Sequence, residues 1–299
     1  FNGITVTGAF TSSSAPLRLQ GDLTATGTIT TLKSVTIAAN VTVNSTNADI
    51  SLEGATNAAG GSETLTLGAK GQVAIKGLVG NTTAPALLGF GATGSIQLDA
   101  ILRAGSVATS QASAGAIEAT AAIYAPAGVS LAGATVKVTG IDTSAATNAD
   151  GGAISLAGST ITLTGNLTAK GAASGVGANH KGGAITLTGN VVLDGSLFTL
   201  RNDPVTGGIS NYVNNPITIQ GKLDGQSASG QTLVLEGEGR PITITGAIGS
   251  NARLAVFDTG RATTPGSVNL NGSLKSDATA ITGNRLRKDA SDSSASTTM

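Results

Sequence analysis

The side chains able to do acid–base or metal chemistry are few and thinly spread. A chain of 299 residues carries 17 acidic groups, one histidine and no cysteine. Glycosidic hydrolysis needs two carboxyl groups held about 5–10 Å apart across the bond. Here Asp22, Asp49, Glu53, Asp99, Glu118, Asp194 and Asp224 stand singly. The one close pair is Glu236 and Glu238, followed by Arg240, in a glycine-rich turn ahead of Ile242. Solvated turn charges neutralised by Arg240 are the plainer reading of that pair. His180 is alone, so a multi-histidine metal site is excluded and any histidine-dependent triad rests on this residue. It lies in a glycine-rich stretch with no carboxylate close in sequence. The repeated calcium-binding nonapeptide Gly-Gly-x-Gly-x-Asp is missing too. The expectation is no catalytic residue, no metal and no cofactor.

Recognition has a better candidate. The segment LRNDPVTGGISNYVNNP (Leu200–Pro216) gathers Arg201, Asp203 and Tyr212, with Phe198 just before it. The chain is only 2% aromatic and 11% charged, so this concentration stands out. An exposed tyrosine beside an arginine is the kind of anchor that binding surfaces use. The competing reading folds Tyr212 back over a coil edge to shield it. Asn-x-Ser/Thr sequons at Asn40, Asn44, Asn81, Asn166 and Asn271 are as frequent as chance gives in a chain this rich in Asn and Thr. Thr-x-Thr pairs such as Thr162/Thr164 suit the outer face of a strand and do not recur often enough for an ice-binding rank.

These groups must be positioned by whatever the rest of the sequence builds, and one phrase dominates it. ITLTGNL (Ile161–Leu167) has close copies at LRLQGDL (Leu17–Leu23), ITLTGNV (Ile185–Val191), VVLDGSL (Val191–Leu197), ITIQGKL (Ile217–Leu223), ITITGAI (Ile242–Ile248) and VNLNGSL (Val268–Leu274). Apolar–polar alternation is the mark of a half-buried strand, and the glycine two residues on allows a corner. Gly195, Gly221, Gly246 and Gly272 recur roughly every 25 residues, within the range that marks a solenoid. Units that cannot bury an apolar face alone stack and share a core. The sequence therefore predicts an all-β fold: a single right-handed parallel β-helix over 1–275. It would have about a dozen coils averaging roughly 23–26 residues and run roughly 60 Å. Residues 276–299 form a polar tail or thin cap.

The inward set is expected to be Val6, Leu19, Ile37, Leu52, Ile75, Leu98, Leu131, Val138, Leu163, Leu193, Ile219, Ile244 and Leu270, with Thr162, Thr186, Thr218 and Thr243 outward. Ile141–Gly152 and Gly171–Gly183 read as loops. The chain enters alternation at once at Ile4-Thr5-Val6 without a cap, as a segment cut from a longer solenoid or a head-to-tail stacking subunit does.

Composition agrees with a thin, regular core. Residues are 40% hydrophobic with 43 glycines, and Lys+Arg balance Asp+Glu at zero net charge. That balance builds no positive field for nucleic acid. No apolar run approaches the ~20 residues of a membrane-spanning helix. Absence of cysteine suits a chain exported unfolded into an oxidising compartment. The start at Phe1 reads as a processed or excised chain.

GGAISLAGSTITLTGNLTAKG, GGAITLTGNVVLDGSL and PITITGAIGSNARLAVF resemble the repeats of filamentous-haemagglutinin-type exoproteins, and autotransporter passengers are similar. The resemblance implies a right-handed β-helix, export through an outer-membrane pore, and a place at the surface of a Gram-negative bacterium or outside it. That family's secretion module carries an Asn-Pro-Asn-type signature, to which Asn214-Asn215-Pro216 is the nearest approach here. The expected function is a non-enzymatic adhesin stalk or binding module for a glycan or protein on a host or neighbouring cell. A subunit that stacks on copies of itself into a fibre or sheath is the alternative. A polysaccharide-acting β-helix enzyme is the lesser one.

Overall fold

A computed structural model describes residues 2–172, 180–202, 215–237, 241–259 and 267–280, with backbone alone at 92, 93, 280 and 285–288. The fold is all-β, with parallel strands stacked into a β-solenoid of about 11 turns and no helix among the described residues. The chain divides into two compact units, Phe1–Thr139 and Gly140–Met299.

In the first unit, short strands pair in register from coil to coil. One column runs Phe10, Ile29, Ile50, Val73, Ile96, Ile117, Val136, the residue number rising by 19 to 23 at each step. A second face stacks Leu23, Val43, Leu67 and Phe90. A third stacks Leu17, Val35, Thr56, Val79, Leu102 and Ile123. Three faces per coil close around a core of small aliphatic side chains, in which Phe90 is fully buried.

The second unit keeps the same in-register pairing with much longer coils. Ile154, Ile185 and Ile217 are partners, the number rising by 31 and then by 32. Leu167, Leu200 and Leu235 are partners at steps of 33 and 35. Ile217, Ile242 and Val268 then return to 25 and 26.

Alternation decides which side chains go inside. Twelve of the thirteen residues expected inward are buried, Leu163 and Ile75 completely. Val6 is half-buried, because its first-coil strand has a partner on one side only among the described residues. The four threonines expected outward are half-buried, since coils on both sides cover their flanks.

The repeated phrase does not stand at one fixed place per coil, which corrects the expected glycine column. Its copies at Ile185 and Val191 fall on successive faces of one coil: Ile185 pairs with Ile154, Val191 with Ile161. The true glycine column in the second unit is therefore Gly158, Gly189, Gly221, Gly246 and Gly272, without Gly195. A Cβ at Gly189 would land on the Gly158 carbonyl oxygen, one at Gly221 on that of Gly189, and one at Gly246 on that of Gly221. Gly246 and Gly272 have ordinary φ, so close approach of stacked corners, more than backbone handedness, requires glycine. At Gly189 (φ +137) both reasons apply. The first unit has its own column, where a Cβ at Gly94 would lie 2.6 Å from the Gly71 carbonyl oxygen and one at Gly115 2.5 Å from that of Gly94.

Asparagine and aspartate complete the corners. Where the strand ladder lapses, an Asx side chain accepts a backbone N–H from the next coil. Thr42 donates to Asp22 Oδ1 (2.7 Å) and Gln72 to Asp49 Oδ1 (2.7 Å) in the first unit. Lys181 donates to Asp150 Oδ1 (2.8 Å) and Thr199 to Asn166 Oδ1 (2.8 Å) in the second. Each such rung satisfies a donor that a bend would otherwise leave without a partner.

Candidate functional site

The residues singled out from the sequence do not form one exposed surface. Phe198 is buried at 1% exposure and belongs to the core, while Leu197 beside it is 59% exposed. The slip has a local cause: the Phe198 ring fills the corner space that Gly195 leaves open, its Cζ 2.9 Å from where a Cβ would stand. Arg201 ends the strand Leu197–Arg201 and pairs through Nε with Glu236 Oε2 at 2.9 Å, its register partner one coil on. Asp203, Tyr212, Glu238 and Arg240 lie outside the described residues.

The residues that flank 203–214 are well defined. Asn202 is fully buried, and its Nδ2 donates to the carbonyls of Gly183 (3.1 Å) and Asn215 (2.5 Å). Asn215 Nδ2 donates to the Gly182 carbonyl at 2.9 Å. The two asparagines thus tie residues 202 and 215 to each other and to the Gly182–Gly183 backbone.

Other acidic groups hold coils or loops together. Lys76 Nζ meets Glu53 Oε1 at 2.8 Å, and Lys137 meets Glu118 at 3.1 Å. The Lys76 ammonium and the Ser51 hydroxyl (2.6 Å) hold the Glu53 carboxyl below its ordinary pKa, and the same contact raises Lys76. Asp224 is mostly buried and accepts from the backbone N–H (2.9 Å) and side chain (3.1 Å) of Asn251. His180 does have a carboxylate near it, contrary to its sequence neighbourhood. Asp150 Oδ1 lies 3.4 Å from Nδ1, and Asn148 Oδ1 lies 3.1 Å from Nε2, so this cluster joins two loops. Among the described residues, no three His, Cys, Asp or Glu side chains are grouped to hold a metal.

The feature that sequence reading missed is in the first unit. Arg103 and Tyr124 are register partners one coil apart, in the strands Leu102–Arg103 and Ile123–Tyr124. The guanidinium carbon of Arg103 stands 5.2 Å from the Tyr124 ring centroid. Such stacking holds both groups by cation–π attraction. Tyr124 is 39% exposed, and Arg103 is exposed. They edge a recess of about 330 Å³ built from four successive coils: Gly61, Ala84-Pro85-Ala86, Arg103-Ala104-Gly105, and Tyr124 with Pro126. Small residues and the buried Pro85 line it alongside the exposed Pro126. No sequence motif announces the pair, because the residues meet only through the register of two stacked coils.

No family model, curated protein or solved structure matches this chain. The β-solenoid architecture stands on the strand pairing alone.

Proposed function

We propose that the chain is a non-enzymatic β-solenoid of the bacterial cell surface or extracellular space, an adhesin stalk or binding module of the filamentous-haemagglutinin type. The observation that carries this reading is the use made of its polar side chains. Asp22, Asp49, Glu53, Glu118, Asp150, Asp224 and Glu236 are bonded within the stack, between coils or loops. At the recess, Arg103 and Tyr124 are instead exposed, as recognition requires. Its ligands would be glycans or proteins of a host or neighbouring cell, and its export route an outer-membrane pore.

The test incubates labelled, purified full chain with cells and with a panel of polysaccharides. Saturable surface binding without release of new reducing ends is the expected result. Polysaccharide cleavage that disappears in Glu236→Gln would overturn the reading. Filaments in negative stain without surface binding would replace it with a stacking structural subunit.

A further inference from the structure

We infer that the Arg103–Tyr124 recess binds a uronate-bearing pyranose, with the sugar's C–H face on Tyr124 and its carboxylate on Arg103. This assignment rests on the surface-binding reading and gives it a site and a ligand class.

The backbone around the recess restricts what can enter. Ala104 N–H donates to the Tyr124 carbonyl, Gly105 N–H to Pro85, Ser106 N–H to Ala86 and Ala127 N–H to Gly105. Pro85 and Pro126 carry no N–H at all. A peptide strand would therefore find no open ladder to extend. Recognition falls to side chains: one flat aromatic surface, the exposed Pro126 and one cation.

The cation is suited to an anion. Arg103 has no carboxylate partner among the described residues, unlike Arg201 and Arg253, which pair with Glu236 and Asp277. Stacking on a ring leaves the N–H groups at the guanidinium edge free, and their fork matches the two oxygens of a carboxylate. The Tyr124 hydroxyl makes no bond to a described residue either, so it too can serve a ligand.

Size and composition fit the same ligand. About 330 Å³ lies near the lower end of small-molecule sites, roughly 300–1,000 Å³, so a short piece of an extended chain suits it better than a folded partner. The glycine and alanine floor offers van der Waals contact without polar competition. A uronate ring supplies both complements, an apolar face and an edge carboxylate.

The experiment is calorimetric titration of the full chain with two uronate probes, a hyaluronan hexasaccharide and an oligogalacturonate hexamer. Their methyl-esterified forms and neutral chitohexaose serve as comparisons. At least one acidic probe should bind. Esterification, Arg103→Gln and Tyr124→Ala should each weaken it about tenfold, the factor carried by one charge-assisted hydrogen bond or one desolvated stacking contact. Tyr124→Phe should retain most of the affinity. Unchanged circular dichroism and melting show that the variants fold. Failure of both acidic probes to bind overturns the proposal, as does binding indifferent to esterification or to both substitutions. Cell-surface binding that persists in Arg103→Gln and Tyr124→Ala sinks this site but spares the adhesin reading. Uronate binding without any cell-surface binding does the reverse.

Discussion

Along the Phe10–Val136 column of the first unit the residue number rises by 19 to 23 at each step, whereas in the second unit it rises by 35 from Leu200 to Leu235. Yet from Ile29 onward in the first, and from Leu200 to Leu235 in the second, the partners are equivalent: isoleucine, leucine or valine stacks on its like. The extra residues of the second unit leave the column partners in register. Length belongs to the corners and identity to the columns. The mean coil length expected from the sequence averages the two regimes; single steps match it where Ile50, Val73 and Ile96 stack 23 apart and at the end of the second unit.

The strongest challenge to this equivalence is a charge in each core. Ile75→Asp in the first unit and Leu163→Asp in the second should each cost several kcal/mol, on the order of 4 or more, because both sites are dry and fully buried. Denaturant unfolding measures it, and a mild effect at either site would mean that its column is not a true core. Corner glycines come next. Gly94→Ala and Gly189→Ala should destabilise by about 2–4 kcal/mol, since each Cβ would strike a neighbouring carbonyl. Gly140→Ala should stay within about 0.5 kcal/mol, its Cβ meeting only the Asn166 carbonyl oxygen at 3.6 Å. Equal melting shifts at the three sites would remove close approach as the reason for glycine.

The stem and its excursion should separate. Asn202→Ala strips hydrogen bonds from two carbonyls and should cost about 1–3 kcal/mol. Replacing 203–214 by a short glycine–serine link should leave the melting temperature close to that of the parent. An excision as damaging as Asn202→Ala would make those residues part of the core. Rungs come lower, with Asp49→Ala costing about 1 kcal/mol through the Gln72 N–H it strands.

The smallest effect is the pH dependence of the Glu53–Lys76 pair. Glu53 is lowered from 4.5, so its contribution is present above that value and lost as pH falls through the folded pKa. Lys76 is raised from 10.5, so its contribution is present below that value and lost as pH rises through the folded pKa. Thermal scans of Lys76→Met against the parent should show a small deficit across that window that closes at both ends. A deficit that persists unchanged in strong acid would mean that packing of the lysine stem is responsible.

What is legible in the sequence follows the range over which each signal acts. Alternation is local, and it locates Leu163, Ile219 and Ile244 inside without knowledge of any partner. The glycine slot is legible by type but not by column, because ITLTGNV at Ile185 and VVLDGSL at Val191 look alike and sit on different faces. Leu197 and Phe198 show how one residue defeats the rule: a corner left open by Gly195 draws the larger side chain in and turns the leucine out. Asx rungs and the Arg103–Tyr124 pair are illegible for a different reason. Their partners lie one coil away, and the coil length must be known before they can be named.

The clamp at Asn202 and Asn215 has a consequence for how such a chain can change over generations. Lengthening a coil by half raises its closure entropy cost by only about 0.4 kcal/mol if the added segment is flexible. A new segment inserted between them leaves in place the bonds of Asn202 and Asn215 to the Gly183 and Gly182 carbonyls. The corner works as a graft site: a lineage can exchange the inserted segment, and a designer can install a chosen epitope, while the coils that carry it stay the same.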